Sequence, residues 1–321
     1  MDTHSTSSGQ AEQLIESYTT HLRALNRTPK TVASYALWIR RFFDFIETIG
    51  LHDAADVTAA TLHAYQRHEA QQINAKGRVN SIKVQNQHVG IVCGFFKFLH
   101  IEGYTAHNPA QHIELAKVPE RLPRDILTVR EAKRLLKQPD TSTLLGYRDR
   151  TILEVLYSTG IRRQELLDLT LDNIDLETGM LTVRQGKGAK DRVVPLGTIA
   201  ASHVETYLNG IRDELLGKRV AGPRSDTKAV FISARGLPFS KNALAERIEK
   251  IARAAGIQKP VTPHTFRHTC ATHMIRNRAN VRHVQEMLGH KNLNTTEQYL
   301  HLTITDLKEA HSKFHPREKD R

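Results

Sequence analysis

Apolar residues recur at helical spacing throughout the first hundred positions. Leu14, Ile15, Tyr18, Leu22 and Leu25 fall on one face of a helix over 11–26. Thr28-Pro29 supplies an N-cap followed by a proline at the first helical position. The helix it opens carries Val32, Tyr35, Ile39, Phe42, Phe43 and Ile46 and is closed by Gly50. Thr58 can cap a third helix reaching about Gln71. A fourth, over Ser81–His100, is apolar at Val89, Val92, Phe96 and Leu99 and stops before Gly103. These aromatic and aliphatic stripes are what a small all-helical domain needs for its core.

The texture changes after Asn108-Pro109. The run KVPERLPRDIL, Lys117–Leu127, has two prolines, alternating charges and no period, so it reads as the heart of a linker. Thr128 and Glu131 then form a capping box that opens a new helix. Helices are expected over 128–138, 144–159 and 163–169. Met180–Gln185 and Arg192–Leu196 flank GKGAKD as the strands of a β-hairpin, and AVFIS at 229–233 reads as a further strand before helices resume. The expected fold class is mainly α with a small β-sheet. A disordered tail at 1–10 precedes a helical domain at 11–112, a linker at 113–127 and a mixed α/β domain at 128–321.

Composition narrows the function. No apolar run is long enough to span a bilayer, and the polar start MDTHSTSSGQ is not a signal peptide, so a cytoplasmic protein without membrane contact is expected. Two cysteines, Cys93 and Cys270, lie far apart and suggest neither a disulfide framework nor a zinc site. The net charge of +12 points to a polyanionic partner, nucleic acid before membrane. Residues 1–118 hold 11 Lys+Arg against 10 Asp+Glu, so nearly all the excess belongs to the remainder of the chain.

Four islands in that basic remainder carry candidate chemistry. In YSTGIRRQEL, residues 157–166, Gly160 ends one helix and Arg162 sits in the first turn of the next, where exposed N–H groups favour an anion. In RQGKGAKDRVVPL, residues 184–196, Gly186 and Gly188 leave Lys187 on an exposed turn; the spacing GxxxxGK[ST] of a nucleotide-binding loop is absent. In TPHTFRHTCATHMI, residues 262–275, Thr262 and Pro263 start a helix that sets His264 and Arg267 one turn apart. His264 and His268 have the i, i+4 spacing of zinc ligands, but Thr265 stands where a metalloprotease needs glutamate. In LGHKNLNTTEQYLHL, residues 288–302, Gly289 ends a helix, His290 follows, and Asn294 or Thr295 can cap a short helix bearing Tyr299. Singly, each island fits surface charge or ordinary packing. Together they hold arginines, a lysine, histidines and a tyrosine with no carboxylate cluster. That set suits metal-free phosphoryl transfer better than Mg²⁺-assisted chemistry.

The order TGIRRQEL … GKGAKDRVVPL … HTFRH … LGHKNLNTTEQY resembles the tyrosine recombinase (phage integrase) family, close to its Xer-type members, over almost the whole chain. The resemblance implies a SAM-like helical domain that binds core DNA sites and a catalytic domain of mixed α/β structure. It implies catalytic roles for Arg162, Lys187, His264, Arg267 and His290, with Tyr299 as nucleophile and Glu165 as a supporting acidic residue. It further implies cleavage through a 3′-phosphotyrosyl bond without metal, ATP or other cofactor. The implied partners are double-stranded DNA in the nucleoid and a homotetramer in the synapse, in some relatives shared with a paralogous recombinase. A last helix near Thr305–Phe314 would dock onto a neighbouring protomer. Type IB topoisomerase-like nicking and closing, or DNA binding without catalysis, are the competing readings, and either mobile-element integration or dimer resolution is a compatible role.

Overall fold

The structure, a computed structural model, describes residues 4–75, 77–119, 126–184, 191–217 and 227–289. By contacts the chain forms two compact units, Met1–Glu120 and Arg121–Arg321.

The first unit contains α1 (His4–Ala24), α2 (Pro29–Thr48), α3 (Ala59–Gln71) and α4 (Ile82–Ile101). Helix α2 begins as its sequence dictates: the Thr28 side chain accepts from the Thr31 amide, and Pro29 occupies the first turn. Thr58 and Thr61 form a reciprocal capping box at α3. The stripes converge on a core in which Phe42 meets Tyr65 and Phe96 edge to face, with centroids 5.0 and 5.5 Å apart. Two expectations are corrected. Helix α1 starts at His4 rather than near residue 11, because no proline interrupts the segment and each added residue extends a helix already nucleated. Leu25, expected on the buried face, is 55% exposed because the helix ends at Ala24.

Part of the expected linker is tied to this unit. Gln66 donates to the carbonyl of Glu114, and Asn86 exchanges two hydrogen bonds with the backbone of Ala116. These side chains satisfy a backbone that no strand or helix satisfies. Residues 120–125 lie outside the described residues.

The second unit contains α5 (Val129–Lys137), α6 (Leu144–Thr159), α7 (Arg163–Leu167), α8 (Thr198–Thr206), α9 (Arg212–Gly217), α10 (Lys241–Ala254), α11 (Pro263–Arg276) and α12 (Val281–Leu288). Its antiparallel sheet has the order β1 (Ile174–Asp175), β2 (Met180–Val183), β3 (Arg192–Pro195). The hairpin strands are those the alternation predicts; β1 is an addition. In the β2–β3 register Leu181 faces Val194 and Val183 faces Arg192. Cross-strand partners project to the same side, so Arg192 shares the inward face with Leu181, Val183 and Val194. The turn 185–190 lies outside the described residues.

The segment 229–233 is not a strand of the sheet. Val230, Phe231 and Ile232 are buried, but the segment makes only isolated bridges, Thr170 with Ala229 and Ile232 with Pro238. Much of its backbone is satisfied by side chains from elsewhere. Arg212 donates to the Ala229 carbonyl, Arg148 donates to the Ile232 carbonyl, and the Tyr207 hydroxyl accepts from the Ile232 amide. Arg148 and Arg247 both hold the buried Asp149, which fixes this arrangement in the core.

Candidate active site

Helix α6 is terminated by Gly160, whose φ of +60° is the left-handed conformation that glycine adopts without penalty. Glycine is needed for space as well. A Cβ there would stand 2.7 Å from Leu288 Cδ2 and 3.4 Å from Cys270 Sγ. The reversal delivers Arg162 to the start of α7. It stands at the N-cap rather than in the first turn, because Glu165 reaches back as the third residue of the helix and accepts the Arg162 amide at 2.8 Å.

Glu165 joins two arginines. Its carboxylate takes Arg162 Nη1 at 2.7 Å on one side and both terminal nitrogens of Arg192, at 2.9 and 2.7 Å, on the other. Burial of its side chain would raise the pKa. The bonds from Arg192 and from the amide and guanidinium of Arg162 outweigh it and hold the value at about 2. Glu165 is therefore a fixed anion at neutral pH.

The three arginines then converge on one helix end. Arg192 Nε donates to the Met287 carbonyl at 2.9 Å, Arg267 Nη2 to Leu288 at 2.6 Å, and Arg162 Nη2 to Gly289 at 2.9 Å. These are three consecutive carbonyls at the C-terminus of α12, where a helix leaves its acceptors unused and its dipole favours cations. Gly289 (φ +66°) permits the approach, since a Cβ there would lie 3.1 Å from the Arg192 side chain. Arg267 Nη1 also donates to the Gly160 carbonyl at 2.9 Å, which ties the α6–α7 turn to the same point.

Helix α11 brings in Arg267 and His264. Thr262 and Thr265 cap it reciprocally and Pro263 opens it, so both candidate side chains project from its first turn and a half. Arg267 is only 5% exposed, whereas His264 reaches solvent. Partial desolvation of the imidazole, then the charges of Arg267, Arg163 and Arg162, lower the His264 pKa. The ring is thus neutral at pH 7 and free to accept a proton. Planar guanidinium forks beside a neutral imidazole match the oxygens of a phosphodiester and a proton acceptor next to it. Among the described residues no group of three His, Cys, Asp or Glu side chains could hold a metal ion. No helix among them is long and apolar enough to cross a membrane.

Of the six residues singled out from the sequence, Arg162, His264 and Arg267 are brought together here. Lys187, His290 and Tyr299 lie outside the described residues, as do the short helix expected to bear Tyr299 and the one near Thr305–Phe314. The strands flanking Lys187 are described, and α12 ends at Leu288, two residues before His290. Arg192 is not among the residues that the sequence motifs single out. The available signal was a charged residue at an inward strand position, directly before the alternating VVPL.

Comparison with known proteins decides the family. The sequence profile described as the phage integrase family matches residues 125–305. Tyrosine recombinase XerC 2 of Ralstonia nicotianae (strain ATCC BAA-1114 / GMI1000) is 40% identical over 286 residues, 89% of this chain and 80% of that protein. This chain belongs to the phage integrase family. Tyrosine recombinase XerD of Staphylococcus haemolyticus (strain JCSC1435), another relative, is 40% identical over 229 residues, 71% of this chain and 75% of its own. The fold is shared with the XerH site-specific recombinase bound to palindromic difH substrate in a post-cleavage complex. That match has a TM-score of 0.68 and 23% identity, covering 94% of this chain and 84% of that one. As a phage integrase family member of the Xer-like kind, the chain is a tyrosine-type site-specific DNA recombinase. The matched stretch contains all six positions singled out from the sequence.

Proposed function

We propose that the chain cuts and rejoins duplex DNA at short core sites through a covalent bond between Tyr299 and a 3′-phosphate. The Tyr299 hydroxyl attacks the scissile phosphorus, the bond to the 5′-oxygen breaks, and a 5′-hydroxyl is freed. Arg162 and Arg267 hold the non-bridging oxygens, and His290 adds a hydrogen bond there. His264 takes the tyrosine proton, and Lys187 delivers a proton to the departing 5′-oxygen. The 5′-hydroxyl of a partner strand then attacks the phosphotyrosine. One phosphoester replaces another, so neither ATP nor metal enters the balance. The helical first unit binds the core site, and protomers assemble as a tetramer around two sites in the nucleoid of the cytoplasm, alone or with a paralogous recombinase. Both mobile-element integration or excision and Xer-type dimer resolution use this chemistry.

The observation that carries this reading is the convergence of Arg162 and Arg267 on the end of α12, beside a His264 whose pKa is lowered. The test is a nicked suicide duplex incubated in EDTA. A covalent protein–DNA adduct that disappears with Tyr299→Phe is the expected result. No adduct under any condition would sink the proposal, and product joining two different duplexes distinguishes strand exchange from simple relaxation.

A further inference from the structure

Arg192 makes three side-chain hydrogen bonds across this site, although it is not among the residues assigned to the chemistry itself. Its two terminal nitrogens grip both oxygens of Glu165, while its Nε donates to the Met287 carbonyl. Glu165 in turn fixes Arg162 at two points, the main-chain amide and Nη1. The side chain is 10% exposed and sits at the end of β3, opposite Val183, on the inward face of the sheet. The absence of a side chain at Gly289 leaves room for it. One planar group thus touches the carboxylate that orients the phosphate-binding arginine and the helix end from which the chain runs on to His290 and Tyr299.

Resting on the recombinase reading above, we propose that Arg192 is a positioning residue that sets Arg162 in register with the end of α12. It acts through Glu165 on one side and the Met287 carbonyl on the other, without touching the substrate. Only a guanidinium fits the task. A bidentate fork for the carboxylate and a third donor at Nε must lie in one plane, and an ammonium supplies a point charge with no such plane. A misplacement of about 1 Å at a reacting centre costs on the order of 10²-fold in rate, so losing this brace should be felt in the chemical step.

The test uses the full chain with Arg192→Lys and Arg192→Gln, read in three ways. Non-covalent DNA binding, measured by mobility shift, should stay within about threefold of the parent, which also reports that each variant is folded. Single-turnover adduct formation on the nicked duplex should fall on the order of 10²-fold in both variants. Combined with Glu165→Gln, neither Arg192 variant should add its full loss, because the two residues act as one unit.

A substrate with sulfur in place of the bridging 5′-oxygen separates this role from an effect on the hairpin that carries Lys187. Its leaving thiolate is a far weaker base than an alkoxide, as thiols such as cysteine (about 8.5) illustrate, and needs no proton delivered. Substitution at Arg192 should remain slow on that substrate. Full rescue by the sulfur would overturn the proposal, since Arg192 would then be serving proton delivery from Lys187. Multiplicative losses with Glu165→Gln would overturn it too, as would wild-type cleavage rates in Arg192→Lys. A wild-type chain that formed no adduct would instead remove the recombinase reading on which the proposal stands.

Discussion

Gly160→Ala tests whether the turn before Arg162 is built as described. The substitution adds one methyl group at a residue with φ +60°. Left-handed backbone costs a non-glycine residue roughly 1–2 kcal/mol. The new Cβ would also lie 2.7 Å from Leu288 Cδ2, a buried side chain on α12. Forcing such a contact open costs about 1–3 kcal/mol, so the sum is roughly 2–5 kcal/mol. With a mid-range loss of about 3.5 kcal/mol and a urea slope of about 2 kcal/mol per molar, the unfolding midpoint of the second unit should drop by about 1.7 M. The chain carries one tryptophan, Trp38, in the first unit, whereas far-ultraviolet circular dichroism reports helices of both. The dichroism transition should therefore shift while Trp38 fluorescence serves as an internal reference. Because the Leu288 carbonyl receives Arg267, adduct formation should also slow by about tenfold or more. A dichroism midpoint within about 0.3 M of the parent would refute both the strain and the Leu288 contact.

Glu165→Gln should lower stability in a pH-dependent way. The folded-state pKa of about 2 lies below the ordinary 4.5, so the stabilisation is complete above the unfolded value and lost as pH falls from about 4.5 towards 2. The gap between wild type and variant is at most roughly 3.4 kcal/mol at pH 7, and it should nearly close by about pH 2; urea midpoints with an unchanged gap there would contradict it. Arg163→Ala should raise the His264 pKa by removing one of the positive charges that lower it. The acid limb of the single-turnover pH–rate profile should then move upward, and an unmoved limb would separate Arg163 from His264. Burial pushes the Cys270 thiol up to about 12, so iodoacetamide at pH 8 should spare it in the native protein and label it in denaturant, as read by peptide mass. Rapid native labelling would show that its pocket opens.

Helices and caps were the most legible features, because their signals are local. Thr28-Pro29, Thr58, Thr128/Glu131 and Thr262-Pro263 each place a helix start from side chains within four residues of it. The hairpin was legible for the same reason. Strand β1 was not: two residues are too short to show an alternation. The segment 229–233 has the composition of a strand, yet its hydrogen-bond partners include the side chains of Arg148, Tyr207 and Arg212, which no local pattern announces. At the site, the motif order pointed to Arg162, His264 and Arg267. What it could not show was the meeting point of the arginines, since the acceptors are backbone carbonyls and every residue type has one. Arg192 went unremarked for that reason.

The spread of those contacts along the chain also sets when the site can form. Arg162 reaches a carbonyl 127 residues downstream and Arg192 one 95 residues downstream. Helix α6, the sheet and α7 can all collapse earlier, but the arginines have no helix end to grasp until residue 289 has been made. Contacts of such high sequence separation are slow to close and arrive late in folding. During synthesis from the N-terminus, the arginine constellation is thus among the last features to assemble. A ribosome-bound fragment ending before α12 would hold Arg162 and Arg267 without the scaffold that aligns them, so their alignment waits until about nine-tenths of the 321 residues exist.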